Sequence, residues 1–249
     1  MTDGLLLRNY SVNDQSFDFY PTTDQDGQEI GMWLPVYDGL ADVIRGRSFW
    51  DIHVFRKLQP YINSDSVVLD LGACFGQMTM AFSKMCAEVH AFEAHPFQYG
   101  LIVKTLESNE TKNVICYNKA VWDSDNLSLI YPKPKLNVYS SVGSWGIDPT
   151  QTELQDEQDV VVQSMTIDSL NLPRVDVVKI DVQGADLRAM RGMVDTIKRC
   201  KPVIAFEYET AFAESLFNEN IQDYKDFIKE INYHVTWEHE HNYIIEGHS

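Results

Sequence analysis

Basic residues are scarce in this chain: 20 Lys plus Arg stand against 37 Asp plus Glu, for a formal net charge of −17. Such a chain repels phosphate backbones, which argues against nucleic acid as a partner. Plain solubility is the simplest reading of the acidity. Cysteine is scarce too, and the four, Cys74, Cys86, Cys116 and Cys200, form no CxxC pair. Neither a zinc site nor a disulfide framework is therefore expected. Runs of ~18 apolar residues are missing, so no membrane span is expected. The opening MTDGLLLRNYSVND lacks the long apolar segment of a signal peptide. These absences favour a cytoplasmic, reduced protein. There is no internal repeat, low-complexity tract or clear linker, and 249 residues suit one decorated α/β domain. A hydrophobic content of 44% is enough for a sizeable core.

The informative stretch is residues 67–79, VVLDLGACFGQMT, followed by VHAFEAHP at 89–96. An apolar run ends in Asp70, enters a turn holding Gly72 and Gly76, and leads into a helical pattern. A second apolar run ends in Glu93, 23 residues after Asp70. A strand, glycine turn, helix, strand and acid in this order hold a nucleoside-bearing cofactor at the carboxyl ends of parallel strands. Gly72 and Gly76 let backbone approach a ligand, the helix start offers free N–H groups, and Glu93 suits a ribose diol. A dinucleotide site wants G-x-G-x-x-G, with a glycine in the middle for the pyrophosphate. Here Cys74 takes that place and Asp70 lies two residues before the first glycine. A carboxylate there suits a cationic amino-acid tail better than a pyrophosphate, which favours S-adenosylmethionine over NAD.

Along the rest of the chain, residues 1–62 read as an N-terminal extension and 63–249 as the cofactor-binding domain. The extension holds an apolar run at 5–7, a strand or loop at 33–37 and a helix at 48–58. Met78, Ala81, Phe82 and Met85 give a packed helix face, and Pro96 opens a second helix. Strands are expected at 113–117, 175–180 and 202–206, with hairpin character at NLSLIYP and a strand at VVVQSM. One helix should carry Met190, Met193, Val194 and Ile197, another should span 221–231, and 233–237 with 243–246 should close the sheet as an antiparallel hairpin. Alternating strands and helices give a parallel sheet covered on both faces. The polar loop at 140–158 has the length of a lid or substrate loop.

Taken together, VVLDLGACFGQMT, VHAFEAHP, NVICYNKAVWD, SMTIDSL, VDVVKIDVQGADLRAMRGM and KPVIAFEYE resemble the FkbM family of S-adenosylmethionine-dependent methyltransferases, in that family's order. The resemblance implies an α/β, Rossmann-like class I methyltransferase sheet, mostly parallel with a terminal antiparallel hairpin. It also implies O-methyl transfer to a hydroxyl of a sugar or glycan, with a non-sugar metabolite of polyketide or peptide type as the alternative acceptor. By the same resemblance, Asp70, Gly72, Ala73, Cys74, Phe75 and Gly76 surround the methionine part and Glu93 holds the ribose. Ala94 and His95 flank adenine, Asn118, Lys119 and Ala120 meet its edge, and Asp181 faces the sulfonium. The chain departs from the family at Gln183 and Asp186, where Glu is common, and at Cys74, where Asn is frequent. A noncatalytic cofactor-binding subunit is the reading from a different class.

Methyl transfer to a hydroxyl needs alignment and a proton acceptor. Asp181 and Glu207 end neighbouring core strands, so one is expected as base while the other orients the acceptor. The competing roles are a helix cap for Asp181 and an ion pair with Lys179 for Glu207. With one more acid the pair could instead hold Mg²⁺ in an oxygen site, which is not the favoured reading; no metal ligands are assigned. His53, in SFWDIHVF, is a further candidate base, since a helix there lays Asp51 or His53 over the cofactor mouth. His239 and His241 decorate the terminal hairpin. Ser140, Ser141 and Trp145 are assigned to the substrate side. Trp145 and Tyr139 either stack on a sugar ring or anchor the loop.

Overall fold

A computed structural model of the chain describes residues 16–23, 26–133 and 141–248. The chain enters as a hairpin, β1 (Phe17–Thr23) and β2 (Glu29–Pro35), followed by α1 (Gly39–Arg45) and α2 (Ile52–Leu58). The alternating unit then begins: β3 (Val67–Leu71), α3 (Gln77–Ser83), β4 (Glu88–Phe92), α4 (Pro96–Ser108) and β5 (Val114–Tyr117). Three short strands follow, β6 (Ala120–Val121), β7 (Ser128–Tyr131) and β8 (Val160–Met165). After them come β9 (Val177–Ile180), α5 (Asp186–Arg191), α6 (Val194–Cys200), β10 (Val203–Glu207), α7 (Thr210–Phe217), α8 (Ile221–Glu230), β11 (Tyr233–His239) and β12 (Asn242–Gly247).

The main sheet runs β11-β12-β10-β9-β3-β4-β5. Strands β10, β9, β3, β4 and β5 pair in parallel, and β12 enters antiparallel to both β10 and β11. The α/β class, the mostly parallel sheet and the closing hairpin are those expected from the sequence. The centre is buried on both faces and largely apolar, as a covered parallel sheet requires, with Asp70 of β3 and Lys179 of β9 as a buried charged pair. Every residue of β9, VVKI, is buried, including Lys179. One face packs α5, α6 and α8 through Leu187, Met190, Ile197 and Phe227. On the other, Val54, Phe55 and Phe82 cover Val68, Val89 and Val177. β6, β8 and β7 form a separate small sheet in that order.

Several local expectations needed revision. The helix read at 48–58 starts only at Ile52, because Asp51 takes a left-handed backbone with φ 51°. The single helix read through Met190 and Ile197 is two helices, α5 and α6, broken at Gly192 and Met193. A Cβ at Gly192 would lie 1.9 Å from the Trp122 carbonyl oxygen, so the close approach requires glycine. Met85 lies beyond the end of α3. Helices α1 and α7 and strand β1 carry short patterns that the sequence reading passed over. The stretch at 33–37 is strand only to Pro35. Residues 5–7 lie outside the described residues.

The hairpin β1–β2 buries Ile30, Met32 and Leu34 in one cluster with Ala41 and Ile44 of α1 and Phe97 and Leu101 of α4. Asn109, just past α4, locks it from the side, donating to the Gly31 carbonyl at 2.7 Å and accepting from the Gly31 N–H at 3.3 Å. This places α1, and the turn after it, beside the carboxyl ends of β3 and β9.

Candidate active site

Parallel strands β3, β4 and β9 all end on the same edge, and the loops leaving them face a common opening. The turn after β3 hooks onto β4: the N–H groups of Gly72 and Ala73 both donate to the Phe92 carbonyl, at 3.0 and 2.9 Å. Gly72 and Gly76 each have φ 83° and Cys74 has φ 54°, left-handed backbone that glycine tolerates best. Gly72 lines both cavities, and each glycine also has a packing role. A Cβ at Gly72 would sit 1.9 Å from the Asp181 carbonyl oxygen, and one at Gly76 would press on Ile102 at 3.3 Å. They permit close packing of the turn on the loop after β9 and on α4.

Two adjoining cavities open here. The first lies over the ends of β4 and β6 and is walled by Phe92, Val121, Trp122, Tyr131, Trp145 and Ile147. Its floor carries Glu93, 6% exposed. Glu93 Oε2 accepts from the Cys74 N–H at 2.9 Å and Oε1 from the His95 N–H at 2.8 Å. Each oxygen keeps a second lone pair, so a diol can still be bound. Burial raises the Glu93 pKa to about 7 against the opposing pull of those two N–H groups. Asn118 shapes the same rim by donating to the Glu93 and Ala94 carbonyls, both at 2.9 Å. Ala94, Lys119 and Ala120 line the cavity.

The second and larger cavity shares Gly72, Cys74, Gly143, Asp181 and Gln183 with the first. Trp50, Asp51, Ala73, Phe75, Lys179, Glu207, Glu209, Glu240 and His241 line it. Asp181 stands between the two cavities. Its Oδ1 accepts from Gln183 Nε2 at 2.8 Å and its Oδ2 lies 3.5 Å from Lys179 Nζ. Lys179 Nζ is also 3.6 Å from Asp70 Oδ1 and donates to the Gly72 carbonyl at 2.9 Å. Burial alone would lower the Lys179 pKa, but Asp181 and Asp70 outweigh it and raise it. The ammonium therefore stays charged and clamps the ends of β3 and β9 together. Glu207 has its pKa raised, by burial first and then by Asp181 and Asp186.

Several assigned residues sit elsewhere. Asp70 does not line either cavity: it is fully buried and accepts from the Thr79 hydroxyl at 2.5 Å, so its charge is met by Lys179 inside the protein. Gly76 packs on Ile102. His95 caps α4 through Nδ1 at 3.3 Å from the Phe97 N–H and meets Tyr131 edge-on, and burial lowers its pKa to about 4. His53 packs against the terminal hairpin, with ring centroids 5.1 Å from His239 and 6.1 Å from Trp237. Its Nε2 lies 4.0 Å from Asp51 Oδ1, and Asp51 is the one of the two that reaches the cavity. Lys179 pairs with Asp70 and Asp181 and not with Glu207. Ser141 lines the second cavity and Trp145 the first; Ser140 and Tyr139 lie outside the described residues. Among the described residues no three His, Cys, Asp or Glu side chains are grouped as a metal site, and no helix is long and apolar enough to cross a membrane.

Sequence reasoning missed Asp38. Its Oδ1 accepts from the Ala41 N–H at 3.0 Å, capping α1, and from the Ser141 hydroxyl at 2.9 Å, while Oδ2 accepts from the Val142 N–H at 2.8 Å. One buried carboxylate thus ties the loop over both cavities to α1. An Asp just before GLADVI was the available signal.

The methyltransferase FkbM domain profile matches residues 70–243. No curated protein matches the chain. Among solved structures, the FkbM methyltransferase of Methylobacillus flagellatus KT is 14% identical, with a TM-score of 0.50 over 74% of this chain. The chain spans 43% of that protein's length. A putative methyltransferase from Streptococcus mutans in complex with SAH is 13% identical over 78% of this chain and 96% of its own, TM-score 0.47. An rRNA methylase from Streptococcus thermophilus is 9% identical over 79% and 95%, TM-score 0.47. At 14% identity the first of these likenesses speaks to fold alone.

Proposed function

Because the chain belongs to the FkbM family of methyltransferase domains, we propose that it transfers a methyl group from S-adenosylmethionine to a hydroxyl of a sugar or glycan. In this reading residues 63–249 form the cofactor-binding domain and 1–62 an extension that helps build the acceptor side. The net charge of −17 argues against nucleic acid as the acceptor. One observation carries the proposal: a buried carboxylate, Glu93, shares a cavity with flat apolar walls, and that cavity meets a second, acidic one at Asp181.

The first cavity fits the nucleoside part by its chemistry. Glu93 has lone pairs left for a ribose diol, and Val121, Trp122 and Ile147 offer apolar surface to a base. Bound there, S-adenosylmethionine supplies an electrophilic methyl carbon on a sulfonium. Asp181, at the junction, accepts the hydroxyl proton as the acceptor oxygen forms its bond to the methyl carbon and the carbon–sulfur bond breaks. Lys179 holds the Asp181 carboxylate in place through its 3.5 Å contact. Glu207, whose pKa is raised by burial first and then by Asp181 and Asp186, lines the same cavity and orients the acceptor by hydrogen bonding.

Calorimetry with S-adenosylhomocysteine beside NAD tests the donor: binding of NAD alone would overturn it. Label transfer from S-adenosylmethionine to a panel of sugars, with and without chelator, tests the acceptor. Activity that survives chelation supports Asp181 as base, and activity lost to chelator and restored by Mg²⁺ moves Asp181 and Glu207 to metal ligands. Cofactor binding without transfer to any acceptor would favour a noncatalytic subunit.

A further inference from the structure

Of the five tryptophans, Trp50 is the one left exposed, at 51%, and it lies at the rim of the second cavity. Single exposed apolar side chains are ordinary on a protein surface; Trp50 differs from the other exposed large apolar residues in lining this polar cavity. Its backbone is fixed from both sides. The Trp50 backbone N–H donates to Gln77 Oε1 at 3.0 Å, and Gln77 Nε2 donates to the Ser48 carbonyl at 3.0 Å, so one side chain at the start of α3 holds the 48–50 turn. On the other side, Asp51 takes its left-handed backbone and α2 begins. The cavity beside Trp50 carries the carboxyls of Asp51, Asp181, Glu207, Glu209 and Glu240, and Lys179 is its Lys or Arg among the described residues. That ammonium is engaged by Asp70 and Asp181.

Resting on the methyl-transfer reading above, we propose that Trp50 is the platform on which the acceptor's sugar ring lies, and that the surrounding carboxyls restrict that ring to neutral or amino sugars and reject uronic acids and sugar phosphates. The apolar C–H face of a pyranose covers an indole face, while its hydroxyls meet carboxyl oxygens around the edge. An acceptor bearing a carboxylate or phosphate brings a like charge beside five carboxyls, where among the described residues the one Lys or Arg, Lys179, is already engaged by Asp70 and Asp181. Burial first, and then the neighbouring Asp181, raises the pKa of both Asp51 and Glu207, the direction expected where negative charge is crowded.

The test uses labelled S-adenosylmethionine with three pools of methyl glycosides: neutral hexosides, aminohexosides and hexuronides. Label is expected in the neutral or amino pool and not in the hexuronides. Trp50→Ala is expected to raise the acceptor KM about tenfold, the size of one aromatic contact, with KM changing more than kcat and with Trp50→Phe recovering most of the loss. Affinity for S-adenosylhomocysteine, measured by calorimetry, should not change, because Trp50 does not line the first cavity; this also certifies the fold. Hexuronides labelled as well as hexosides, or an unchanged KM in Trp50→Ala, would overturn the assignment and leave sugar O-methylation standing. Label in none of the pools, with S-adenosylhomocysteine still bound, would overturn the sugar reading and this proposal together.

Discussion

The nucleoside side of the site holds Glu93 between two backbone N–H groups and walls it with buried Val121 and Trp122, whereas the acceptor side leaves Trp50 half exposed and gathers five carboxyls around one lysine. The first arrangement is largely set before any ligand arrives: both Glu93 oxygens have backbone partners and Val121 and Trp122 are packed. The second is electrostatically unfinished, and its carboxyls await hydroxyls. Preorganisation on one side and unmet polarity on the other are what a transferase needs when the donor never varies and the acceptor must be selected. Asp181 stands on the border, which makes it the sharpest probe of the division.

The largest effect is expected there. Asp181→Asn should lower turnover by at least ~10²-fold, the usual contribution of a general base, while S-adenosylhomocysteine affinity falls much less. Steady-state kinetics beside calorimetry measures both. Turnover near wild type would remove Asp181 from the chemistry and leave Glu207 as the next candidate.

Glu93→Ala should produce the opposite split: cofactor affinity weaker by roughly 1–3 kcal/mol, from ribose hydroxyls left unpaired, with the acceptor KM little changed. The variant also strips two backbone N–H groups of their acceptor, so its melting temperature is to be measured alongside. A correctly folded variant that binds S-adenosylhomocysteine as tightly as wild type would take Glu93 out of the cofactor site.

The same division explains what could be read in the sequence. The polar floor of the nucleoside side comes from one continuous stretch, in which β3, its turn and β4 deliver Gly72, Cys74 and Glu93 in order, while its apolar walls come from segments near 119–131, 143–147 and 181–185. Periodicity and spacing suffice for such a unit, although they could not tell that Asp70 turns inward to Thr79 and Lys179. That inward turn follows from register: Asp70 lies directly beside Lys179 on neighbouring strands, a pairing between residues 109 positions apart that no local pattern reveals. The acceptor side draws on segments near 38–51, 141–144, 207–212 and 240–242. Trp50 and Asp38 acquire their places only when those segments meet. His53 illustrates the converse: its segment does reach the site, but a left-handed Asp51 sends Trp50 and Asp51 to the cavity and His53 to the terminal hairpin.

Asp38 bolts the two sides together, and cutting it should show how far they depend on each other. Asp38→Ala removes a helix cap and two hydrogen bonds to the 141–142 loop, for an expected loss of about 2 kcal/mol in stability by denaturant titration. Hydrogen exchange at residues 141–147 should quicken in the variant. Unchanged exchange there would show that the loop is held by other contacts, such as the bond from the Tyr131 hydroxyl to the Trp145 carbonyl.

The smallest expected effect separates the two sides by pH. Asp186 is fully buried beneath the acceptor cavity, and burial first, then Asp181, raises its pKa from 3.8 to about 7; Glu93, beneath the nucleoside cavity, is raised from 4.5 to about 7. A carboxyl whose folded pKa lies above its unfolded value binds more protons in the folded state between the two. Its contribution to stability is therefore full below about pH 4 and is lost as the pH rises towards 7. Both groups should make the ligand-free protein less stable on going from pH 5 to pH 7.5. Asp186→Asn keeps the acceptor for the Glu207 N–H and cannot ionise, so it should remove its part of that loss, on the order of 1–2 kcal/mol once the site relaxes. S-adenosylhomocysteine should act on the other part: hydroxyls donating to Glu93 favour its charged form, so the ligand should flatten the pH dependence of melting in wild type and in Asp186→Asn alike. If the variant's slope matched wild type, Asp186 would be ionised throughout this range. If the ligand left the slope unchanged in both proteins, the diol would not be meeting Glu93.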